Sequence, residues 1–127
     1  MNKKILIVED EFIIAEDLKL TVEEFGYKNV KTTPSSDLAI ELLKYDKPDL
    51  VILDIKIEGK MNGLELAKYI KENYDIPVIF CTAYFGKEIE KVRKELKIKM
   101  IRKPFLDFLL KETIESEIAN SKHNTQQ

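Results

Sequence analysis

Apolar residues along the chain follow two alternating rhythms. Five short runs rich in Ile, Val and Leu, at Ile5 to Val8, Tyr27 to Thr33, Leu50 to Leu53, Val78 to Cys81 and Lys99 to Ile101, read as β-strands. Between them the spacing changes to the helical period. Ile14, Leu18, Val22 and Phe25 recur at steps of four and three, and Gly26 stands where a C-terminal cap belongs. A second helix is predicted from about Ser36 to Tyr45, with Ser35 or Ser36 as N-cap and Pro48 beyond its end. The third is predicted over Leu64 to Asn73 after Asn62-Gly63, the fourth over residues 87–96, and the fifth over Phe105 to Ala119 after Pro104.

Strand and helix thus alternate five times. That order predicts an α/β fold, a parallel sheet between two helical layers joined by right-handed crossovers. The runs at 5–8, 50–53 and 78–80 are apolar throughout and are expected to be covered on both faces, whereas Tyr27 to Thr33 alternates with polar residues, as an edge strand does. No repeat or low-complexity segment interrupts the pattern. One domain over residues 1–120 is expected, followed by a flexible polar tail over 121–127.

Composition narrows the classes. With 127 residues, 44% of them hydrophobic, the chain can build a core without metal or disulfide staples, which argues against intrinsic disorder. Apolar runs of four or five residues are too short to span a bilayer, and no cleavable signal follows Met1-Asn2-Lys3-Lys4. The single cysteine, Cys81, has no intrachain partner, in keeping with a reducing cytoplasm, and reads as a small core residue. A net charge of −2 gives no sign of a nucleic-acid protein. The charge is uneven, however: residues 1–63 carry 9 basic and 13 acidic side chains, residues 64–127 carry 12 and 10. The surplus acid must gather somewhere.

Ligands of an open parallel sheet bind beyond the carboxyl ends of its strands. The first strand ends in Glu9-Asp10-Glu11, the third in Asp54, the fourth in Thr82 and the fifth in Lys103-Pro104. Singly, each has a structural explanation, since Asp and Thr end strands as turn or cap residues and Lys is usually solvated. Together they would place three or four carboxylates, a hydroxyl and an ammonium on one rim. Crowded carboxylates repel unless a cation sits among them, and hard oxygen ligands suit Mg²⁺ that keeps several waters. An Asp carboxylate is also a competent nucleophile toward phosphorus, and phosphoryl transfer then asks mainly for positioning and charge neutralisation. Mg²⁺ and Lys103 could supply the neutralisation, and Thr82 a hydrogen bond to a phosphoryl oxygen.

At these residues the sequence resembles the receiver domain of two-component response regulators. The likeness covers Ile5 to about Ala119 and is carried by Ile7-Val8-Glu9-Asp10-Glu11, Leu53-Asp54, Asn62-Gly63-Leu64-Glu65, Thr82-Ala83 and Lys103-Pro104-Phe105. It implies a flavodoxin-like (βα)5 sheet of strand order 2-1-3-4-5. It implies that Asp54 accepts a phosphoryl group from a sensor histidine kinase or phosphotransfer protein, and that Asp10, Asp54 and the backbone carbonyl of Lys56 bind Mg²⁺, with Glu9 helping through water. It further implies that Thr82 and Lys103 contact the phosphoryl group, that the bond before Pro104 is cis, and that phosphorylation shifts a two-state equilibrium felt by the fourth helix and fifth strand.

Two departures stand out. Met100 occupies the position, three residues before Lys103, where the family usually has Tyr or Phe reporting the state of the Thr; its flexible thioether could fill the gap. The stretch Asp54 to Gly63 is one residue longer than the common pattern and lacks its usual Pro, so the loop is expected to sit differently over the pocket. Chemistry is expected to survive while signalling geometry changes. Tyr84, two residues after Thr82, is expected to gate the pocket and shield an acyl phosphate from water.

Residues 87–103 hold eight basic side chains, Lys87, Lys91, Arg93, Lys94, Lys97, Lys99, Arg102 and Lys103, against Glu88, Glu90 and Glu95. The stretch reads as a solvated face or as a docking surface for an acidic downstream protein. The leading reading is a stand-alone cytoplasmic phosphorylation switch, a monomer or phosphorylation-dependent dimer, with no DNA-binding output domain, no membrane contact and no external substrate. Two others stay open: a small Mg²⁺-dependent phosphohydrolase using an aspartyl phosphate, and a flavodoxin-like module that binds flavin or a partner.

Overall fold

A computed structural model describes residues 2–125. Five strands, β1 (Lys4–Val8), β2 (Asn29–Thr33), β3 (Leu50–Leu53), β4 (Val78–Thr82) and β5 (Lys99–Arg102), form one parallel sheet of order β2-β1-β3-β4-β5. Between and after them run α1 (Phe12–Glu24), α2 (Ser36–Tyr45), α3 (Gly63–Asn73), α4 (Lys87–Leu96) and α5 (Asp107–Thr125). The strand order and the five-fold alternation are those expected.

Side chains of a strand point to alternate faces, so each apolar strand feeds two cores. Ile5, Ile7, Ile52, Ile79, Cys81 and Ile101 pack with Leu18 and Val22 of α1 and with Leu110 and Ile114 of α5. Leu6, Val8, Val51, Leu53, Val78 and Phe80 pack on the opposite face beneath α2, α3 and α4. Both faces of β1, β3 and β4 are thus covered, while β2 is an edge strand with Lys31 exposed.

Several element ends differ from the sequence reading. Tyr27 is buried against α1 and α5 but precedes β2, which starts at Asn29. Ser35 is the N-cap of α2, its hydroxyl accepting the Leu38 N–H at 3.2 Å. Helix α3 starts one residue earlier than expected because Asn62 and Glu65 form a reciprocal capping box. Helix α5 starts at Asp107, not Phe105, and continues past Ala119 to Thr125. Gln126 and Gln127, the end of the anticipated tail, lie outside the described residues. No helix among the described residues is long and apolar enough to cross a membrane.

The candidate phosphoacceptor site

Register, rather than sequence proximity, assembles the rim. Val8 of β1 lies opposite both Thr33 and Leu53, and Leu53 lies opposite Phe80, so the strand ends fall level. Backbone bonds continue the ladder one residue further, from the Glu9 N–H to Thr33 O, from the Asp54 N–H to Val8 O, and from the Lys103 N–H to Thr82 O. By period-two alternation Glu9, Asp54 and Lys103 extend the rows facing α1 and α5, while Thr82 extends the other.

Lys103 Nζ donates to Glu9 Oε1 at 2.6 Å and to Asp54 Oδ2 at 3.0 Å. Glu9 is 4% and Asp54 8% exposed, so the ammonium neutralises charge that would otherwise be buried unpaired. The remaining oxygens are also held: the Glu11 N–H donates to Glu9 Oε2 at 3.1 Å and the Ile55 N–H to Asp54 Oδ1 at 2.6 Å. Thr82 is fully buried, and its Oγ1 accepts the Tyr84 N–H at 3.1 Å. The Lys103-Pro104 bond is cis, as expected.

These contacts set the ionisation of the cluster. Burial pushes the Asp54 carboxyl up, but Thr82, Glu9 and Lys103 outweigh it and hold Asp54 below the usual carboxylate range. Burial dominates at Glu9, raised to about 7 despite the Lys103 bond. At Lys103 burial lowers the pKa, yet the two carboxylates leave it raised, so the ammonium stays charged. Burial pushes the Cys81 thiol up to about 12, which makes it an inert core residue.

A cleft of about 170 Å³ opens above Asp54, lined by Glu9, Asp10, Glu11, Ile14, Lys56, Ala83, Tyr84 and Lys103 as well. The structure therefore brings Glu9, Asp10, Glu11, Asp54 and Lys103 to one place, with Thr82 just beneath. Four carboxylates, Glu9, Asp10, Glu11 and Asp54, share the cleft, but among the described residues no three acidic, His or Cys side chains are posed together to hold a metal. Glu9 and Asp54 turn inward to Lys103, whereas Asp10 is half-buried and Glu11 exposed.

The donor set still fits Mg²⁺, which needs only one or two carboxylates and keeps several waters. Asp10, Asp54 and the Lys56 carbonyl would hold it. Acidic side chains outnumber basic ones in the cleft, four to two, an excess of carboxylates that a divalent cation would offset.

The response regulator receiver domain model matches residues 5–120. This chain belongs to the response-regulator receiver family. Receiver domains are signalling domains of two-component systems, and the sheet order and helix layers found here are theirs. The chain is 40% identical over 82 residues, 65% of its length, to the transcriptional regulatory protein YvrH of Bacillus subtilis (strain 168), and spans 34% of that protein. The signal receiver domain of a modulated diguanylate cyclase from Desulfovibrio desulfuricans G20 superposes with a TM-score of 0.89 at 26% identity, over 98% of this chain and 99% of that one. The BeF3-activated N-terminal receiver domain of RstA from Klebsiella pneumoniae shares the fold, with a TM-score of 0.82 at 24% identity over 91% and 97% of the two chains.

Three features escaped the sequence reading. Ser36, fully buried, grips the loop after Asp54. The Arg102 guanidinium lies 4.7 Å from the centre of the Phe85 ring. Arg93 is paired with Glu90 at 2.8 Å, so the outward basic face narrows to Lys87, Lys91, Lys94, Lys97 and Lys99. None of the three has a strong signature in composition or spacing. Met100 is half-buried and packs against the core beneath α4.

Proposed function

We propose that this receiver is switched by reversible phosphorylation of Asp54, assisted by Mg²⁺ and supplied by a sensor histidine kinase or phosphotransfer protein. One observation carries the reading: Lys103 Nζ stands 3.0 Å from Asp54 Oδ2 at the mouth of an acidic cleft. Asp54 remains ionised and therefore nucleophilic at neutral pH. Its carboxylate is aimed by the Ile55 N–H and Lys103, so attack on phosphorus needs little reorientation. A bond forms from the Asp54 oxygen to phosphorus while the bond to the donor's imidazole nitrogen breaks, the electron pair leaving with the imidazole. Lys103 then faces the phosphoryl oxygens and offsets their charge. The metal, when bound, would add further charge neutralisation. Thr82 sits beneath Asp54, where its hydroxyl, which stabilises the Asp54 carboxylate, could be redirected to donate to a phosphoryl oxygen.

Incubation with acetyl phosphate tests the reading. Intact mass is expected to rise by one phosphoryl group with Mg²⁺ and to stay unchanged with excess chelator; equal labelling in both, or none in either, defeats it.

Tyr84 lines the cleft and is 46% exposed, in position to limit the approach of water to an acyl phosphate. A Tyr84→Ala variant is expected to lose its phosphoryl group several-fold faster, followed by the decay of the phosphorylated mass after removal of donor.

The α4–β5 face is proposed to bind an acidic downstream protein, because Lys87, Lys91, Lys94, Lys97 and Lys99 are exposed there. Reversing Lys91 and Lys94 to Glu is expected to weaken that complex without changing Asp54 labelling. Unchanged affinity refutes the surface.

A further inference from the structure

The ten residues from Asp54 to Gly63 have only two regular anchors in the sequence, the end of β3 and the start of α3. The structure adds a third, from a different part of the chain. Residues Ser35 and Glu58 form an isolated parallel bridge: the Glu58 N–H donates to Pro34 O at 3.2 Å and the Ser36 N–H to Glu58 O at 2.8 Å. Ser36 Oγ accepts the Met61 N–H at 3.0 Å. Gly59, between them, has φ +105°, and a Cβ built there would lie 2.5 Å from Ser36 Oγ. The loop thus lies against the first turn of α2, with Ile57 and Met61 packed into the core beneath.

This grip brackets Lys56. On one side the Gly63 N–H donates to Ile55 O at 2.6 Å; on the other Glu58 is held through both its backbone groups. The Lys56 carbonyl can shift only if one of these anchors opens.

We propose that Ser36 is a positioning residue for the phosphoacceptor loop, acting through Glu58 and Met61 to fix the Lys56 carbonyl that faces the cation. The inference rests on the reading of the site given above. A buried hydroxyl with its hydrogen bond already made is a fixed support, whereas a free ten-residue loop would have to be ordered each time a cation binds.

Calorimetric titration of the whole chain with Mg²⁺ tests this, alongside hydrogen exchange at the Glu58 and Met61 amides. Ser36→Ala keeps the helix but leaves the Met61 N–H without its acceptor. It is expected to weaken Mg²⁺ binding roughly three- to tenfold, the range one lost hydrogen bond gives, and to speed exchange at both amides. Val22→Ala, in the core on the opposite face of the sheet from the loop, serves as a control destabilised by ordinary means and is expected to bind Mg²⁺ as the native chain does. If Ser36→Ala does not fold, Gly59→Ala asks the same question, since it strains the loop from the other side.

Equal Mg²⁺ affinity in the Ser36 or Gly59 variant and the control overturns the proposal. A native chain that binds no Mg²⁺ overturns instead the reading of the site, and unchanged amide exchange in Ser36→Ala then disposes of the loop support as well.

Discussion

Asp54→Asn is expected to abolish labelling by acetyl phosphate in the presence of Mg²⁺, with the native chain gaining one phosphoryl group under the same conditions. The amide has nearly the shape of the carboxylate and keeps one oxygen to accept from either the Ile55 N–H or Lys103, giving up the other bond, and Glu9 still holds Lys103, so the fold is expected to hold. What it loses is the anionic oxygen that attacks phosphorus. No neighbour can substitute. Glu9 is buried, with both oxygens engaged by Lys103 and the Glu11 N–H, and its raised pKa leaves it less fully ionised than Asp54. Asp10 lines the cleft without a cation held against it. Intact mass and far-ultraviolet circular dichroism, measured on the same samples, check chemistry and folding separately. Persistent labelling of a folded Asp54→Asn chain would mean that another carboxylate is the acceptor.

The second large effect is expected at Gly63, where the consequence is steric. A Cβ there would lie 2.2 Å from the Asp54 carbonyl oxygen, 2.5 Å from Ile55 Cα and 2.7 Å from the Ile55 carbonyl oxygen. All three are backbone atoms, which cannot swing aside as a flexible side chain can. Gly63→Ala must therefore push the start of α3 off the end of β3, breaking the 2.6 Å bond from the Gly63 N–H to Ile55 O. A loss of about 3 kcal/mol of stability is expected, the upper end for overpacking, read from the midpoint of urea denaturation. The displaced backbone carries Asp54, so labelling of the fraction that folds should fall as well. A variant as stable as the native chain would show that the helix start tolerates displacement.

The two predictions test different links. Asp54→Asn removes a functional group and leaves its frame, whereas Gly63→Ala keeps every functional group and moves the frame. Labelling lost in the first with stability retained, and lost together with stability in the second, is the expected signature of a site built on the strand ends.

Much of this arrangement was legible in the order of residues. The runs Ile5 to Val8, Leu50 to Leu53 and Val78 to Cys81 are apolar on both faces because helices cover both, and that alone implied a parallel sheet. Chemistry-bearing residues at consecutive strand ends then had to share a rim. Element ends were less legible, because local hydrogen bonds set them: the Asn62–Glu65 capping box starts α3 a residue early. The alternating stretch from Tyr27 to Thr33 pairs as a strand only from Asn29, and Tyr27 itself is apolar because it is buried against α1 and α5.

By itself, then, the sequence determined the alternating α/β architecture and the set of polar residues at its rim, since hydrophobic period and strand-end position are properties of neighbours along the chain. Tertiary structure alone decided which carboxylates turn toward Lys103, and that Ser36 supports the loop after Asp54. Those contacts join residues 94, 49 and 25 positions apart. Strand register and the pitch of each connecting helix fix such distances, and neither is written in any local stretch of residues.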